Sequence, residues 1–212
     1  MIDGAAFIRQ HTELLRVPLV PEVKLHLAHE AIPIWQKTEE ELGQLGLPPP
    51  FWAFAWAGGQ ALARHILDNS DIVRAKSVLD LASGSGLVAI AAMKAGAALV
   101  LAADIDTFAE AATAIYATAN QVDISFTTDD LLSGAPPKVD VILVGDLFYE
   151  KALAARCMEF LKRSSAQILI GDPGRSYLPK EKLEQVATYS VPVSRELEDS
   201  EIKKTSVWRL RQ

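Results

Sequence analysis

The chain has 212 residues, half of them hydrophobic and 23% charged, which is typical of one globular domain with a sizeable core. Its formal net charge of −6 argues against a nucleic-acid partner held through bulk charge and favours a basic partner. The chain has a single cysteine, and it has neither a signal-peptide pattern nor a run near the ~18 apolar residues that a membrane span needs. We therefore expect a cytoplasmic protein without a membrane partner, and we expect it to be a monomer.

Residues 1–50 are predicted to form a small N-terminal extension of helix and short strands. Its predicted elements are a helix over 4–15, a strand over 22–28 and a strand or turn leading into a polar helix over 32–46. Three consecutive prolines at 48–50 stop any helix and force an extended chain, so we place the boundary there and assign 51–212 to the main domain. His26 and His29 have no cysteine or carboxylate at metal-ligand spacing, so we expect no metal site.

Beyond the prolines, helices and strands alternate in a regular order. The predicted helices cover 58–69, 86–97, 107–121, 150–164 and 179–187, and the predicted strands cover 77–82, 98–105, 124–129, 139–146, 166–172, 189–196 and 204–212. Strands separated by helices of this length form parallel units with right-handed crossovers. Only LEDSEIK separates the last two strands, so that pair is expected to be antiparallel. The sequence therefore predicts an α/β fold: a Rossmann-like, doubly wound, mostly parallel sheet of seven strands with an antiparallel last strand.

Ligands of open α/β sheets bind at the carboxyl ends of the strands, and the first two strands end in candidate binding groups. The first ends in DLASGSG, where Gly84 and Gly86 allow the backbone to approach a ligand at the following helix N-terminus. Asp104 ends the second strand, at a position where an acid accepts hydrogen bonds from both hydroxyls of a ribose. Asp106 is the better candidate for the N-cap of the next helix.

The later strands also end in polar clusters. Asp129 and Asp130 follow the third strand, and either carboxylate suits an adenine amino group. The fourth strand ends in GDLFYE (145–150), whose two acids and aromatic pair can hold a cation or orient a nitrogen. The fifth strand ends in GDPGR, with Arg175 as its last residue.

The glycine loop by itself leaves two ligands open. GSGLVA satisfies G-x-G-x-x-G/A, the pattern of nicotinamide-dinucleotide enzymes. However, Asp80 before the glycines would repel a pyrophosphate, whereas it suits a cationic amino acid, and a dinucleotide enzyme has no evident use for a final antiparallel hairpin. S-adenosylmethionine fits each strand end, with its ammonium and sulfonium near acids and its ribose on Asp104.

These stretches resemble the class I seven-strand methyltransferases. The resemblance rests on VLDLASGSG, LAADID, TTDDLL and VILVGDLFYE and covers roughly residues 50–212, with Ala82 in place of the family's usual first glycine. FAWAGGQALARHIL (54–67) and GDLFYE resemble motifs of the seven-strand protein-lysine methyltransferases. GDPGR together with PPPFWAFAWAGGQALARHI looks like the bacterial and mitochondrial enzymes that methylate lysines on the beta subunit of electron-transfer flavoprotein. That likeness implies S-adenosylmethionine as donor, S-adenosylhomocysteine as product and this flavoprotein subunit as substrate.

The resemblance also implies roles for individual residues. Asp146 would accept a hydrogen bond from the target amine, and the aromatic pair after it would wall the lysine channel. The expected catalytic residues are Asp146, Tyr149 and Glu150, the expected substrate-binding residues are Phe148 and Arg175, and the expected cofactor-binding residues are Trp56, Asp80, Ser83, Gly84, Gly86, Asp104, Asp130 and Gly145. Three alternatives stay open: a small-molecule N-methyltransferase on the same fold, an NAD-dependent oxidoreductase, and a binding module without catalysis.

Overall fold

A computed structural model of the chain describes residues 4–28, 49–193 and 201–211. The helices of this part are α1 (Gly4–His11), α2 (Ala57–Asp68), α3 (Leu87–Lys94), α4 (Thr107–Asn120) and α5 (Lys151–Lys162). The strands are β1 (Glu13–Arg16), β2 (Lys24–Leu27), β3 (Ser77–Leu81), β4 (Leu99–Ala103), β5 (Ser125–Thr127), β6 (Val141–Gly145), β7 (Gln167–Asp172), β8 (Leu183–Pro192) and β9 (Ile202–Leu210).

Seven of the strands form one sheet in the order β5-β4-β3-β6-β7-β9-β8. Strands β3 to β7 are parallel, and β9 runs antiparallel to both of its neighbours, β7 and β8. The predicted α/β architecture with a reversed last strand is therefore confirmed. The order of the parallel strands reverses between β3 and β6, and ligands of such sheets bind at that point.

Both faces of the parallel sheet are covered by helices. In β6, Ile142 and Val144 pack toward α5, whereas Val141 and Leu143 pack on the opposite side, with α2 and α3. Successive side chains of a strand point to opposite faces, so a strand buried on both sides must be apolar throughout. This explains why VILV is an unbroken apolar run.

Two helix predictions were wrong in part. Helix α1 ends at His11, and Glu13–Arg16 forms a hairpin strand paired with Lys24–Leu27. The predicted helix over 179–187 is one 3₁₀ turn, Lys180–Lys182, followed directly by β8. In both places antiparallel pairing with the next strand along the chain satisfies the backbone and overrides a weak local pattern. The prediction for 32–46 lies outside the described residues.

The N-terminal residues pack on the outer surface of α4. Ile8, Leu25 and Tyr116 are fully buried in one hydrophobic cluster. The Asn120 side chain accepts a hydrogen bond from the Lys24 amide (3.0 Å) and donates one to the Lys24 carbonyl (2.6 Å). This segment thus shares a core with the main domain, and the division at residue 50 stays a prediction. Among the described residues, no helix has both the length and the apolar character to cross a membrane.

Candidate cofactor and substrate site

A cavity of about 610 Å³ lies at the carboxyl ends of the parallel strands. Ten of the thirteen residues predicted for the site line it, and these are Trp56, Asp80, Ser83, Gly84, Asp104, Asp130, Gly145, Asp146, Tyr149 and Arg175. The described residues contain no group of three His, Cys, Asp or Glu side chains placed to hold a metal ion. The topology therefore brings together side chains that lie more than one hundred residues apart in the chain.

The loop after β3 is built on left-handed backbone. Ala82, Gly84 and Gly86 have φ angles of +54°, +52° and +69°, a region that glycine adopts without strain and alanine does not. The carboxylate of Asp104 accepts a hydrogen bond from the Gly84 amide (2.9 Å) and another from the Asp106 amide (3.1 Å). Asp104 therefore joins the glycine loop to the end of β4, and burial raises the pKa of its carboxyl.

Two buried polar groups in this region, the Ser83 hydroxyl and the Asp80 carboxyl, lack the contacts that would offset the cost of their burial. The Ser83 hydroxyl is buried and has no hydrogen-bond partner among the described residues. Asp80 is 1% exposed and accepts a hydrogen bond from the Ala89 amide at 2.9 Å, while burial raises its pKa to about 8. A buried hydroxyl without a partner is costly, and a nearby cation would stabilise the Asp80 carboxylate. Both groups fit a ligand that carries an ammonium and a carboxylate, as S-adenosylmethionine does.

The residues that follow β5 also line the cavity. Asp130 accepts hydrogen bonds from the Ser133 hydroxyl and the Arg156 guanidinium, and these two contacts lower its pKa. Asp129 accepts one from the Thr127 hydroxyl at 3.0 Å. Arg156 lines the cavity but was missed in the sequence, because a single arginine in an amphipathic helix carries no distinguishing signal.

Three aromatic side chains stand at the cavity, and we call them the aromatic rim: Phe51, Trp56 and Tyr149. The Phe51 ring centroid lies 6.0 Å from that of Trp56 and 5.9 Å from that of Tyr149. The Trp56 indole N–H donates to the Phe51 carbonyl at 3.0 Å. Tyr149 is 47% exposed and Phe51 36% exposed, so the rim is accessible to a partner.

Asp146 follows β6 in a left-handed conformation, with φ +57°. One carboxylate oxygen accepts a hydrogen bond from the Gly58 amide in the first turn of α2, and the other accepts one from Nε of Arg175 at 2.7 Å. Helix N-termini have unsatisfied amides and a positive partial charge, so they favour an anion. Arg175, which the sequence placed only at the end of GDPGR, therefore forms an ion pair with Asp146.

The structure does not bring three predicted residues to the cavity. Phe148 is fully buried in the cluster beneath α5, so its ring does not wall a channel. Glu150 is exposed and directly precedes the first residue of α5. An acidic side chain at this position interacts favourably with the positive partial charge of the helix N-terminus. Gly86 closes the loop against α4, where a Cβ would lie 2.9 Å from the Thr113 hydroxyl oxygen. In the structure this glycine lets the loop pack closely against α4.

Close backbone packing holds Asp146 in position. A Cβ on Gly58 would overlap the Gly171 carbonyl oxygen and lie 2.7 Å from the Asp146 carboxylate, and a Cβ on Gly171 would overlap the Gly58 carbonyl oxygen. These two glycines were not predicted. The signal was present, since the consecutive glycines Gly58 and Gly59 cost about 1 kcal/mol each in a helix and need a structural reason.

Replacement of Gly171 by alanine should lower the free energy of unfolding by about 2 kcal/mol, because the new methyl group must push α2 away from β7. Gly59→Ala is the matched control, since its Cβ would meet only ordinary contacts at 3.8–3.9 Å. Urea unfolding of both variants measures the effect. Equal stability of the two variants would contradict the packing argument.

Comparison with known proteins agrees with this geometry. The model of the family described as ribosomal protein L11 methyltransferase (PrmA) matches residues 61–171. The electron transfer flavoprotein beta subunit lysine methyltransferase of Xenopus laevis is 38% identical, covering 96% of this chain and 85% of its own length, and the Homo sapiens protein of the same name is 36% identical over 96% and 80%.

The fold also occurs in solved structures. Magnesium protoporphyrin IX methyltransferase from Synechocystis, solved with bound S-adenosylmethionine, superposes with a TM-score of 0.55 over 72% of this chain and 78% of its own, at 14% identity. That likeness concerns the fold, whereas the sequence relatives cover nearly the whole chain. The chain therefore belongs to the family of the electron transfer flavoprotein beta subunit lysine methyltransferases, which use S-adenosylmethionine as methyl donor.

Proposed function

We propose that this protein methylates a lysine side chain on the beta subunit of electron transfer flavoprotein. The family supports this substrate, because relatives named for it align along 96% of the chain. The observation that carries the proposal is the mostly buried Asp146–Arg175 pair beside an exposed aromatic rim, at the edge of a cavity large enough for the methyl donor.

We assign the donor to the glycine-loop side of the cavity. Asp104 would hold the ribose hydroxyls, Asp80 and Ser83 the amino-acid end, and Asp130 with Leu131 the adenine. When bound, S-adenosylmethionine supplies an already activated methyl group, so the main task of the protein is alignment. The backbone of Gly84 and Gly145 lines the same cavity without a side chain to block the approach.

We assign the target amine to the Asp146 side of the cavity. An ionised carboxylate has about four acceptor positions, and Asp146 lines the cavity, so its carboxylate would accept a hydrogen bond from the amine. Asp146 would thereby orient the lone pair of the nitrogen toward the cavity. The exposed ring of Tyr149 would pack against the lysine stem and attract the arriving ammonium.

A folded protein fits the exposed rim better than a free small molecule does. Phe51 and Tyr149 present apolar surface beside the cavity, which a partner surface would cover. Glu150, next to the rim, is exposed and would contact a basic residue of the partner. A small-molecule N-methyltransferase remains the second candidate. The cytoplasmic location, the monomeric state and the absence of a nucleic-acid partner stay predictions.

Labelled S-adenosylmethionine tests the proposal directly. Incubated with the enzyme and an extract of cells that lack it, the donor should label a single protein that mass spectrometry identifies as the flavoprotein beta subunit. The purified subunit should be labelled as well, with the label on lysine. Label confined to small molecules would support the second candidate, and turnover with a nicotinamide cofactor would support an oxidoreductase.

Methylation of the purified flavoprotein should slow as salt rises, while donor affinity barely changes. The chain carries a net charge of −6 and would attract a basic surface, and the Debye length falls from ~10 Å at 0.1 M to ~3 Å at 1 M salt. A short peptide with the same lysine should react more slowly, because it lacks the remote contacts that align the nitrogen. Rates at 0.05–0.5 M salt provide the measurement, and equal rates on free lysine would count against a protein substrate.

A further inference from the structure

The proposed lysine site poses an electrostatic problem. A lysine amine reacts only when it is neutral, yet its ordinary pKa is ~10.4. An isolated carboxylate within hydrogen-bond distance would raise that pKa further, because an opposite charge favours the ammonium form. Asp146 alone would therefore orient the amine and at the same time hold it in its unreactive state.

Arg175 changes the charge of this site. Its Nε donates to Asp146 at 2.7 Å, and the side chains of the two residues are only 23% and 7% exposed. Asp146 and Arg175 together carry no net charge. Because the pair is mostly buried, solvent screens each of its charges less than it would at the surface.

Contacts at the backbone and at the guanidinium hold the Arg175 side chain in this position. The Asp172 carboxylate accepts hydrogen bonds from the backbone amides of Gly174 (2.6 Å) and Arg175 (2.7 Å), which fixes the turn that carries the side chain. At the other end, Cζ of Arg175 lies 5.9 Å from the centroid of the Trp56 ring, within the range of a cation–π contact.

We infer that Arg175 is a positioning residue whose guanidinium balances the charge of Asp146, so that the target lysine meets a neutral site and loses its ammonium proton near neutral pH. This inference rests on the proposed function. The step is a proton transfer only: one N–H bond of the ammonium breaks, its electron pair stays on nitrogen and the proton passes to bulk water. Asp146 then keeps its ionised form throughout.

Other ionisable groups face the same cavity and must be separated from this effect. They are Asp80, Asp104, Asp106, Asp129, Asp130, Tyr149 and Arg156. Burial raises the pKa of Asp80 to about 8 and that of Asp106 to about 6. Asp172 also interacts with this site, because burial raises its pKa and the charges of Arg175 and Lys180 oppose that rise. All of these groups are present in every variant at 146 and 175, but replacing Arg175 removes one charge that opposes the rise in the pKa of Asp172, so Arg175→Lys, which keeps that charge, is the control for this contribution.

The test is the pH profile of kcat, measured with the flavoprotein for the four combinations of Asp146→Asn and Arg175→Met. The rising limb reports deprotonation of the amine in the enzyme–substrate complex. Arg175→Met leaves a net negative site and should move the limb about one pH unit upward. Asp146→Asn leaves a net positive site and should move it downward. The double variant is neutral again, and its limb should return toward the wild-type position.

Two further variants distinguish charge from structure. Arg175→Lys keeps the charge, so its limb should stay at the wild-type position even if its rate falls. Arg156→Gln removes an arginine that also lines the cavity. Its pair with Asp130 is about half exposed and therefore screened, so the limb should move by less than about 0.3 pH unit. Calorimetry with S-adenosylmethionine establishes that each variant is folded.

The outcomes are separable. Wild-type enzyme that labels no flavoprotein would overturn the proposed function. Wild-type enzyme that labels it, combined with an unmoved limb in Arg175→Met, would overturn this inference alone. An Arg175→Met variant that binds the donor but has no activity even at pH 9.5 would also overturn the inference. If the substitution only raises the pKa of the lysine, the amine becomes neutral at high pH and activity must return. A variant that fails to bind the donor is replaced by Arg175→Gln, to which the same criteria apply.

Discussion

Turnover of the Asp146→Asn variant should fall about 100-fold or more, while its affinity for S-adenosylmethionine stays within a few-fold of the wild-type value. Asparagine has the same shape, but it offers one acceptor oxygen and one NH₂ donor. The Gly58 amide and Nε of Arg175 donate to different oxygens of Asp146, so asparagine can keep an acceptor for only one of these two groups. A small displacement of a reacting group is sufficient for a loss of this size.

The control variant is Asp140→Asn, at the opposite end of β6 from Asp146. Asp140 stands just before β6 and accepts hydrogen bonds from the Ser77 amide (2.8 Å) and hydroxyl (2.6 Å) at the exposed end of the sheet. Asp140→Asn should therefore keep its turnover. Single-turnover label transfer and calorimetry separate chemistry from donor binding. Full activity in Asp146→Asn would remove Asp146 from the reacting site.

The Asp104→Ala variant should bind S-adenosylmethionine about 100-fold more weakly. Hydrogen bonds to a charged acceptor contribute about 1.5–3 kcal/mol each, and a carboxylate at this position can accept one from each ribose hydroxyl. The same change also removes the acceptor that joins the Gly84 amide to the end of β4. The glycine loop should therefore lose part of its preorganisation as well.

Calorimetry with S-adenosylmethionine and S-adenosylhomocysteine measures this effect, and both ligands should weaken equally because they share the ribose. Asp71→Ala is the control, since the Asp71 side chain is 99% exposed. Asp104→Asn keeps one acceptor and should give an intermediate value. An unchanged dissociation constant for Asp104→Ala would move the ribose contact to another residue.

Local pattern was a good guide where each element has its own periodicity. The apolar run of β6 and the alanine-rich stretch of α4 were both predicted within two residues of their observed bounds. Asp106 caps α4 as predicted and accepts a hydrogen bond from the Phe108 amide. The pattern failed at 12–15 and 183–187, where antiparallel pairing with the next strand along the chain decides the backbone conformation.

The sequence by itself determined that the sheet is mostly parallel with a reversed last strand. It thereby determined the edge at which ligands bind, because the carboxyl ends of parallel strands lie together at one edge of the sheet. It placed Asp80, Asp104 and Asp146 at that edge. Only the tertiary structure decided that Arg175, 29 residues further along, pairs with Asp146, and that Phe148 turns into the core while Tyr149 faces the cavity. Neighbouring residues in a turn have no fixed period, so their directions depend on packing with distant elements, which a local pattern does not contain.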